Sequence, residues 1–339
     1  MKHLSSKTWK IVAFVGIFLV LLILPQVVRT GYIRNAMIDI LRWGAFALAF
    51  NLIAGEVGQV SFGQSVFFGL GAYSTALIGS KLHLGWLGSM LFAAVAMGLL
   101  AIVVGFIFFR IREVTFAIGT MGFAIITQMW ANTSMDVTGG SLCSLGVERA
   151  VLTLPFTSLA IPITKPVQFY YLLLPIFFII LWVMWRINNS RTGKAFNAVR
   201  DDEVRAASIG INPLKYKILG LVISAMVIGL LGSFQAQYLT VVCPSELGLE
   251  ITNTLMIMTF VGGIGSLRGT LIGAAIFAAL PRLLEAGGKY AVPPYLQQIF
   301  YGLILILVIL FMPNGIDGLL RKRKKPAAPP TQLKSEELS

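Results

Sequence analysis

The 339-residue sequence carries 27 Lys and Arg against 14 Asp and Glu, a formal net charge of +13, and is 57% hydrophobic but only 12% charged. Soluble chains are about a quarter charged, so with a mean hydropathy of +0.83 this one is excluded from the ordinary soluble domains. Two cysteines, and two histidines lying far apart (His3 and His83), leave no disulfide framework and no Cys-rich metal site.

A bilayer core takes roughly 20 mainly apolar residues per helix. In chain order ten stretches qualify: 9–28, 35–54, 60–80, 86–109, 114–131, 169–187, 216–240, 251–267, 270–288 and 295–313. The first follows Lys2, Lys7 and Lys10 like a signal peptide, but "VVRTGY" offers no small-residue cleavage site, so an uncleaved helix is expected. The second holds Asp39 and Arg42, three apart and therefore on one helix face, where they neutralise each other. Arg282 and Glu285 repeat that spacing in the ninth, and the third is interrupted by Gly and Ser. The fold class expected is an all-α polytopic membrane protein of eight to ten, most simply ten, transmembrane helices.

Ten spans put both termini on one side. The positive-inside rule makes that side cytoplasmic, because it then collects most of the 27 basic residues. Residues 1–320 read as one transmembrane domain with a cytoplasmic segment at 189–213. Residues 321–339 read as a tail, "RKRKK" and then a Pro-rich disordered end. The basic run is expected to meet anionic membrane lipid, not nucleic acid.

Two stretches are too Gly-rich to face lipid. In "NLIAGEVGQVSFGQSVFFGLGAY" the notable residues are Asn51, Gly58, Gln59, Ser61, Gly63, Gln64, Gly69 and Gly71, and in "FVGGIGSLRG" they are Gly262, Gly263 and Gly265. Broken backbone at membrane depth must be buried in protein or line a water-filled path, and small residues also let helices approach closely. Both readings stay open. The second stretch has a dinucleotide-like glycine spacing but no preceding strand, so that reading falls.

The block "SRTGKAFNAVRDDEVRAASIGIN" between the sixth and seventh spans is the polar exception. Ser190 is the expected N-cap of one short helix and Asp201 of a second over 202–209, which Gly210 ends ahead of Pro213. Ala195, Phe196, Ala198 and Val199, then Val204, Ala206, Ala207 and Ile209, are expected on an apolar side. Arg191, Lys194, Arg200, Asp201, Asp202, Glu203 and Arg205 form a charged rim. Such a surface either docks on a soluble partner or lies solvated at the membrane face. No HExxH or GxSxG motif is present, and the pairs Gly193–Lys194 and Gly288–Lys289 lack the Ser or Thr of a P-loop, so any ATP binds elsewhere.

Taken in order, "GEVGQVSFGQSVFFGLGAY", "VTGGS", the polar block, "FVGGIGSLRGTLIGAAI" and "YGLILILVILFMPNGIDGL" resemble the LivM-type permeases of branched-chain amino-acid ABC importers, from about Asn51 to Leu319. The resemblance implies a bacterial inner-membrane subunit without enzyme activity or cofactor, paired with a LivH-type permease. Two cytoplasmic ATPases would bind ATP and Mg, and a periplasmic amino-acid-binding protein would deliver substrate. It also implies that residues 190–212 couple to the ATPases, although the usual Glu-Ala-Ala is here Arg205-Ala206-Ala207. Urea and short-amide permeases share the pattern, while Gln59 in "GQVSFGQ" is closer to the amino-acid branch. An ion-coupled secondary transporter is the alternative of another class. The ten-span topology puts Cys143 and Cys243 on the same outer side; a bond is chemically permitted there, but two separate thiols are expected.

Overall fold

The computed structural model describes residues 31–79, 81–82, 85–110, 113–143, 145–147, 151–153, 160–163, 165–285 and 315–320, with isolated positions within 21–26 and 296–310. The expected spans 9–28 and 295–313 therefore fall wholly or largely outside the described residues, as does the tail 321–339.

The chain is helical, with small excursions. Helix α1 (Gly31–Asn51) runs on through a π turn (Leu52–Glu56), and α2 (Gln64–Ser74) through a second (Thr75–Gly79). Then come α3 (Trp86–Phe108), α4 (Glu113–Thr133), α5 (Pro166–Asn188), α6 (Arg191–Asp201), α7 (Glu203–Ser208) and α8 (Pro213–Leu239). Helices α9 (Leu249–Gly262), α10 (Leu267–Glu285) and α11 (Gly315–Leu320) follow.

Among the described residues four helices are long and apolar enough to cross a membrane: Ile33–Glu56, Trp86–Phe108, Pro166–Asn188 and Pro213–Leu239. Helix α3 shows why. Trp86, Met90, Ala93, Met97, Ala101 and Val104 recur every three or four residues and are buried, while Leu87, Leu91, Val95, Leu99 and Val103 are 49% to 62% exposed. A helix apolar on both faces is shaped for lipid on one and protein on the other. Helix α1 takes the centre, against α5, α8, α9 and α10, with Phe46 and Phe50 fully enclosed. Its buried Asp39 and half-buried Arg42 pair at 3.0 Å, as their spacing predicts, and Arg42 also reaches Gln235 and the Trp43 ring. The side chains of Arg282 and Glu285 lie outside the described set.

Two expectations need correction. The span 60–80 is not one helix: residues Val57–Gly63 are irregular, and α2 with its π turn covers only Gln64–Gly79. At 1.5 Å per residue that is about 24 Å, short of a bilayer core of about 30 Å. The connection 132–168 holds antiparallel β2 (Val151–Thr153) with β3 (Ala160–Pro162). It also holds β1 (Leu145–Gly146), which pairs with β4 (Val241–Val242) at the end of α8.

That last pairing overturns the expectation of two separate thiols. Leu145 faces Val242, Gly146 faces Val241, and Val147 N donates to Thr240 O at 3.0 Å. The ribbon brings Cys143 and Cys243 to a Cα separation of 4.6 Å, and they are bonded. Sequence spacing carries no trace of it, because the partners are 100 residues apart.

Candidate functional site

Helix α8 has 27 residues, so its ends lie about 40 Å apart. The disulfide sits beyond its C-terminal end, and the polar block precedes its N-terminal end. Ser190 caps α6 as expected, its hydroxyl accepting from Gly193 N at 3.3 Å. A Cβ on Gly193 would lie 2.4 Å from Ile187 O, so only glycine allows the chain to fold back this tightly on α5. Phe196 and Val199 turn inward, and the Phe196 ring meets Tyr216 edge-on.

The second cap lies one residue further on than expected. Asp201 closes the last turn of α6, whereas Asp202 is extended (φ −166°, ψ 112°) and accepts from Val204 N at 2.9 Å and Arg205 N at 3.0 Å. The hydrogen bonds from Arg205, backbone and then side chain, hold its carboxyl below the usual range. Gly210 ends the block at φ +85°, and Asn212 caps α8 by accepting from Lys215 N at 3.2 Å. The charged rim is partly an internal brace too, since Glu203 pairs with Lys217, a lysine buried on α8.

The apolar side also differs. Of Val204, Ala206, Ala207 and Ile209, only Ala206 is buried; Val204 is 80% and Ile209 72% exposed. Six residues make less than two turns, so α7 seats one side chain and presents the others outward. Val204 and Ile209 are thus left exposed together with Arg205.

Arg200 points the other way. Its Nη1 donates to Gly55 O at 2.7 Å, and its stem fills the place of a Cβ on Gly58, which would lie 2.4 Å from Arg200 Cγ. Gly58 has φ +81°, so glycine is required there twice over. The same spot holds the second Gly-rich break: Asn51 Oδ1 accepts from Gly265 N at 2.9 Å, and a Cβ on Gly265 would lie 3.3 Å from Arg200 Nη1. Asn51 and Gly58 thus meet Gly265, far from both in sequence, under α6. Beside them Glu56 is buried, within electrostatic reach of Arg200, and its Oε1 has no hydrogen-bond partner.

The rest of the first Gly-rich stretch is held by borrowed side chains, which satisfy its irregular backbone. Phe62 N donates to Thr120 Oγ1 at 3.0 Å, Gly63 N to Ser61 Oγ at 3.3 Å and Ser65 N to Thr252 Oγ1 at 3.1 Å. Ser224 donates to Ala49 O at 2.7 Å and lies 3.5 Å from Gln64 Oε1. Gln59 is buried.

Gly69 and Gly71 pack closely against their neighbours. Added Cβ atoms would lie 2.5 Å from Leu247 Cδ2 and from Gly229 O, respectively. Gly262 and Gly269 likewise bring α9 and α10 into backbone contact, and Gly263 turns the chain at φ 114°.

At the disulfide end, Glu246 sits in the turn Pro244–Leu247 with a buried Oε2 that lacks a partner. Burial pushes its carboxyl up to about 7 despite the opposing pull of Arg42. Neither Glu56 nor Glu246 was singled out by the sequence. A lone acid beside an apolar run is the one signal that marked them.

A family model described as "Branched-chain amino acid transport system / permease component" matches residues 32–309. The chain belongs to this family. Over 351 aligned residues it is 22% identical to the high-affinity branched-chain amino acid transport system permease protein LivM of Salmonella typhimurium, covering 96% of this chain and 81% of the relative. The Escherichia coli K12 LivM is 23% identical over 330 residues, 91% of this chain and 76% of that protein. The permease protein LivH of Salmonella typhimurium matches a shorter part, 33% over 132 residues, or 39% of this chain and 41% of its own. No solved structure matches. Membership makes the chain a membrane-embedded transport subunit and not an enzyme.

Proposed function

We propose that this chain is one of two permease subunits of an ATP-driven importer for branched-chain or other small hydrophobic amino acids in a bacterial inner membrane. The likeness to proteins named LivM along nearly the whole chain, and to LivH along part of it, supports the substrate class and a LivH-type partner. In this reading the chain crosses the membrane ten times with both termini in the cytoplasm. The block 190–212 faces two cytoplasmic ATPase subunits, which bind the ATP and Mg, and a periplasmic protein delivers substrate at the disulfide end. ATPase closure pushes on α6 and α7, and the helices reorient to open the path alternately to each side.

The observation that carries the coupling role is the division of labour in the block. Arg200, Phe196 and Val199 tie it to the helices, while Val204 and Ile209 are left 80% and 72% exposed beside charges. Exposed apolar side chains on a polar element mark a protein contact more than a solvated surface. Val204→Cys, paired with cysteines placed across the ATPase surface, should crosslink to it in membranes carrying the whole importer. Failure to crosslink at every ATPase position, with the complex intact, would remove the coupling assignment.

A further inference from the structure

The block's outward face explains docking but not how a push there reaches the membrane. One side chain spans that gap. Arg200 sits on the last turn of α6, donates to Gly55 O at 2.7 Å, lies along Gly58, and approaches Gly265. The backbone after α1 and the turn between α9 and α10 are already joined there by Asn51 Oδ1 accepting from Gly265 N. Arg200 thus touches both Gly-rich breaks at their junction.

Arg200 also pairs with the exposed Asp201 at 3.3 Å, but its bond to Gly55 O is unlike the contacts of the neighbouring charges. Asp202 caps its own helix, Arg205 pairs back to Asp202, and Glu203 holds Lys217. Arg200 alone among them bonds a main-chain oxygen of a distant element, 145 residues away. Its partner is also replaceable. A carbonyl is a neutral acceptor, whereas the nearby Glu56 is a carboxylate with a buried oxygen that has no partner. Leaving such an oxygen unpaired is costly, and a charge-assisted bond to guanidinium is about twice as strong as a neutral one. A shift of α6 toward Glu56 would exchange one acceptor for the other.

Building on the coupling role proposed above, we propose that Arg200 is the positioning residue that transmits ATPase closure to the helix breaks, resting on Gly55 O in this conformation and moving to Glu56 in the other. Gly58 leaves room for the stem, and its φ of +81° lets the chain bend at that point.

The complete importer, reconstituted in liposomes, tests this by the number of ATP molecules hydrolysed per amino acid moved. Arg200→Gln should lower uptake at least tenfold with ATP hydrolysis within about twofold of normal, so the ratio rises at least fivefold. Arg200→Lys should restore part of the coupling, because it keeps the charge but not the two-armed reach. Glu56→Gln should also raise the ratio, and the double variant should be no worse than the poorer single one, since both act through one contact. Lys81→Gln, an exposed charge in the turn between α2 and α3 and outside the block, should leave the ratio unchanged. The proposal is overturned if Arg200→Gln keeps a normal ratio, or if the effects at 200 and 56 simply multiply. The Val204→Cys crosslink separates two failures: if it forms while the ratio is normal, only the Arg200 role is lost. If it never forms, the coupling reading falls and takes this role with it.

Discussion

Gly232→Ala should be among the most damaging one-carbon changes in the protein. The new Cβ would lie 2.0 Å from Phe68 O, 3.0 Å from Phe68 C and 3.1 Å from Ala72 N, all backbone atoms of α2. None of these can rotate away, so α2 and α8 must separate by roughly 1 Å or more to regain ordinary contact distance. Overpacking of this kind costs about 1–3 kcal/mol. Separation also stretches the adjacent Thr75 Oγ1 to Ser233 Oγ bond of 2.6 Å, worth about 1 kcal/mol. Against this stands a gain of about 1 kcal/mol, because alanine is the better helix former. The net loss is about 1–3 kcal/mol. Gly122→Ala in α4 is the control: nothing lies within 4 Å of its added Cβ, so only the gain of about 1 kcal/mol remains. Reversible unfolding of the subunit in mixed detergent micelles, followed by circular dichroism, should rank Gly122→Ala above the parent and Gly232→Ala about 2–4 kcal/mol below Gly122→Ala. Equal stability of the two variants would refute the backbone contact between α2 and α8.

Four further outcomes follow. Gly69→Leu and Gly263→Leu should both abolish amino-acid uptake, the first by driving into Leu247 and the second by strain at φ 114°; uptake by either variant at half the normal rate would speak against them. For Glu246, the folded value of about 7 lies above the ordinary 4.5, so its contribution to stability is full below pH 4.5 and lost as pH rises through 7. Glu246→Gln should therefore flatten the stability profile over that window and stabilise the protein at pH 8, and an unchanged profile would contradict this. Reducing the Cys143–Cys243 bond, which closes a loop of 100 residues, should cost about 2–5 kcal/mol. A membrane-impermeant thiol reagent on spheroplasts should label both cysteines only after reduction, whereas Ser190→Cys should react only from inside.

Much of this was legible in the sequence where the signal is local. The apolar run of α3 announces its span, Ser190 its cap, and the Asp39–Arg42 spacing its ion pair, because each depends on neighbours within one or two turns. The departures depend on distant partners. Asp201 and Asp202 are equivalent as letters, and only the extended backbone at 202 decides which caps. Val204 and Ile209 look inward-facing by pattern, but α7 is too short to bury them. Asp202 and Glu203 read as a docking rim, yet one holds α7's first turn and the other holds Lys217. Replacing both by lysine would therefore disturb the block itself, so Val204 and Ile209 are the better probes of docking. The glycines were recognised as unable to face lipid, but that Gly71 meets Gly229 and Gly58 meets Arg200 required the fold.

The central claim is that this chain moves amino acids only as part of an ATP-driven assembly, and uptake of radiolabelled leucine by liposomes tests it most directly. Liposomes holding this subunit, its LivH-type partner and both ATPases, with the binding protein outside, should accumulate leucine only when ATP is enclosed. Omitting this subunit should abolish accumulation. Leucine uptake by this chain alone, driven by a proton or sodium gradient without ATP, would contradict the account.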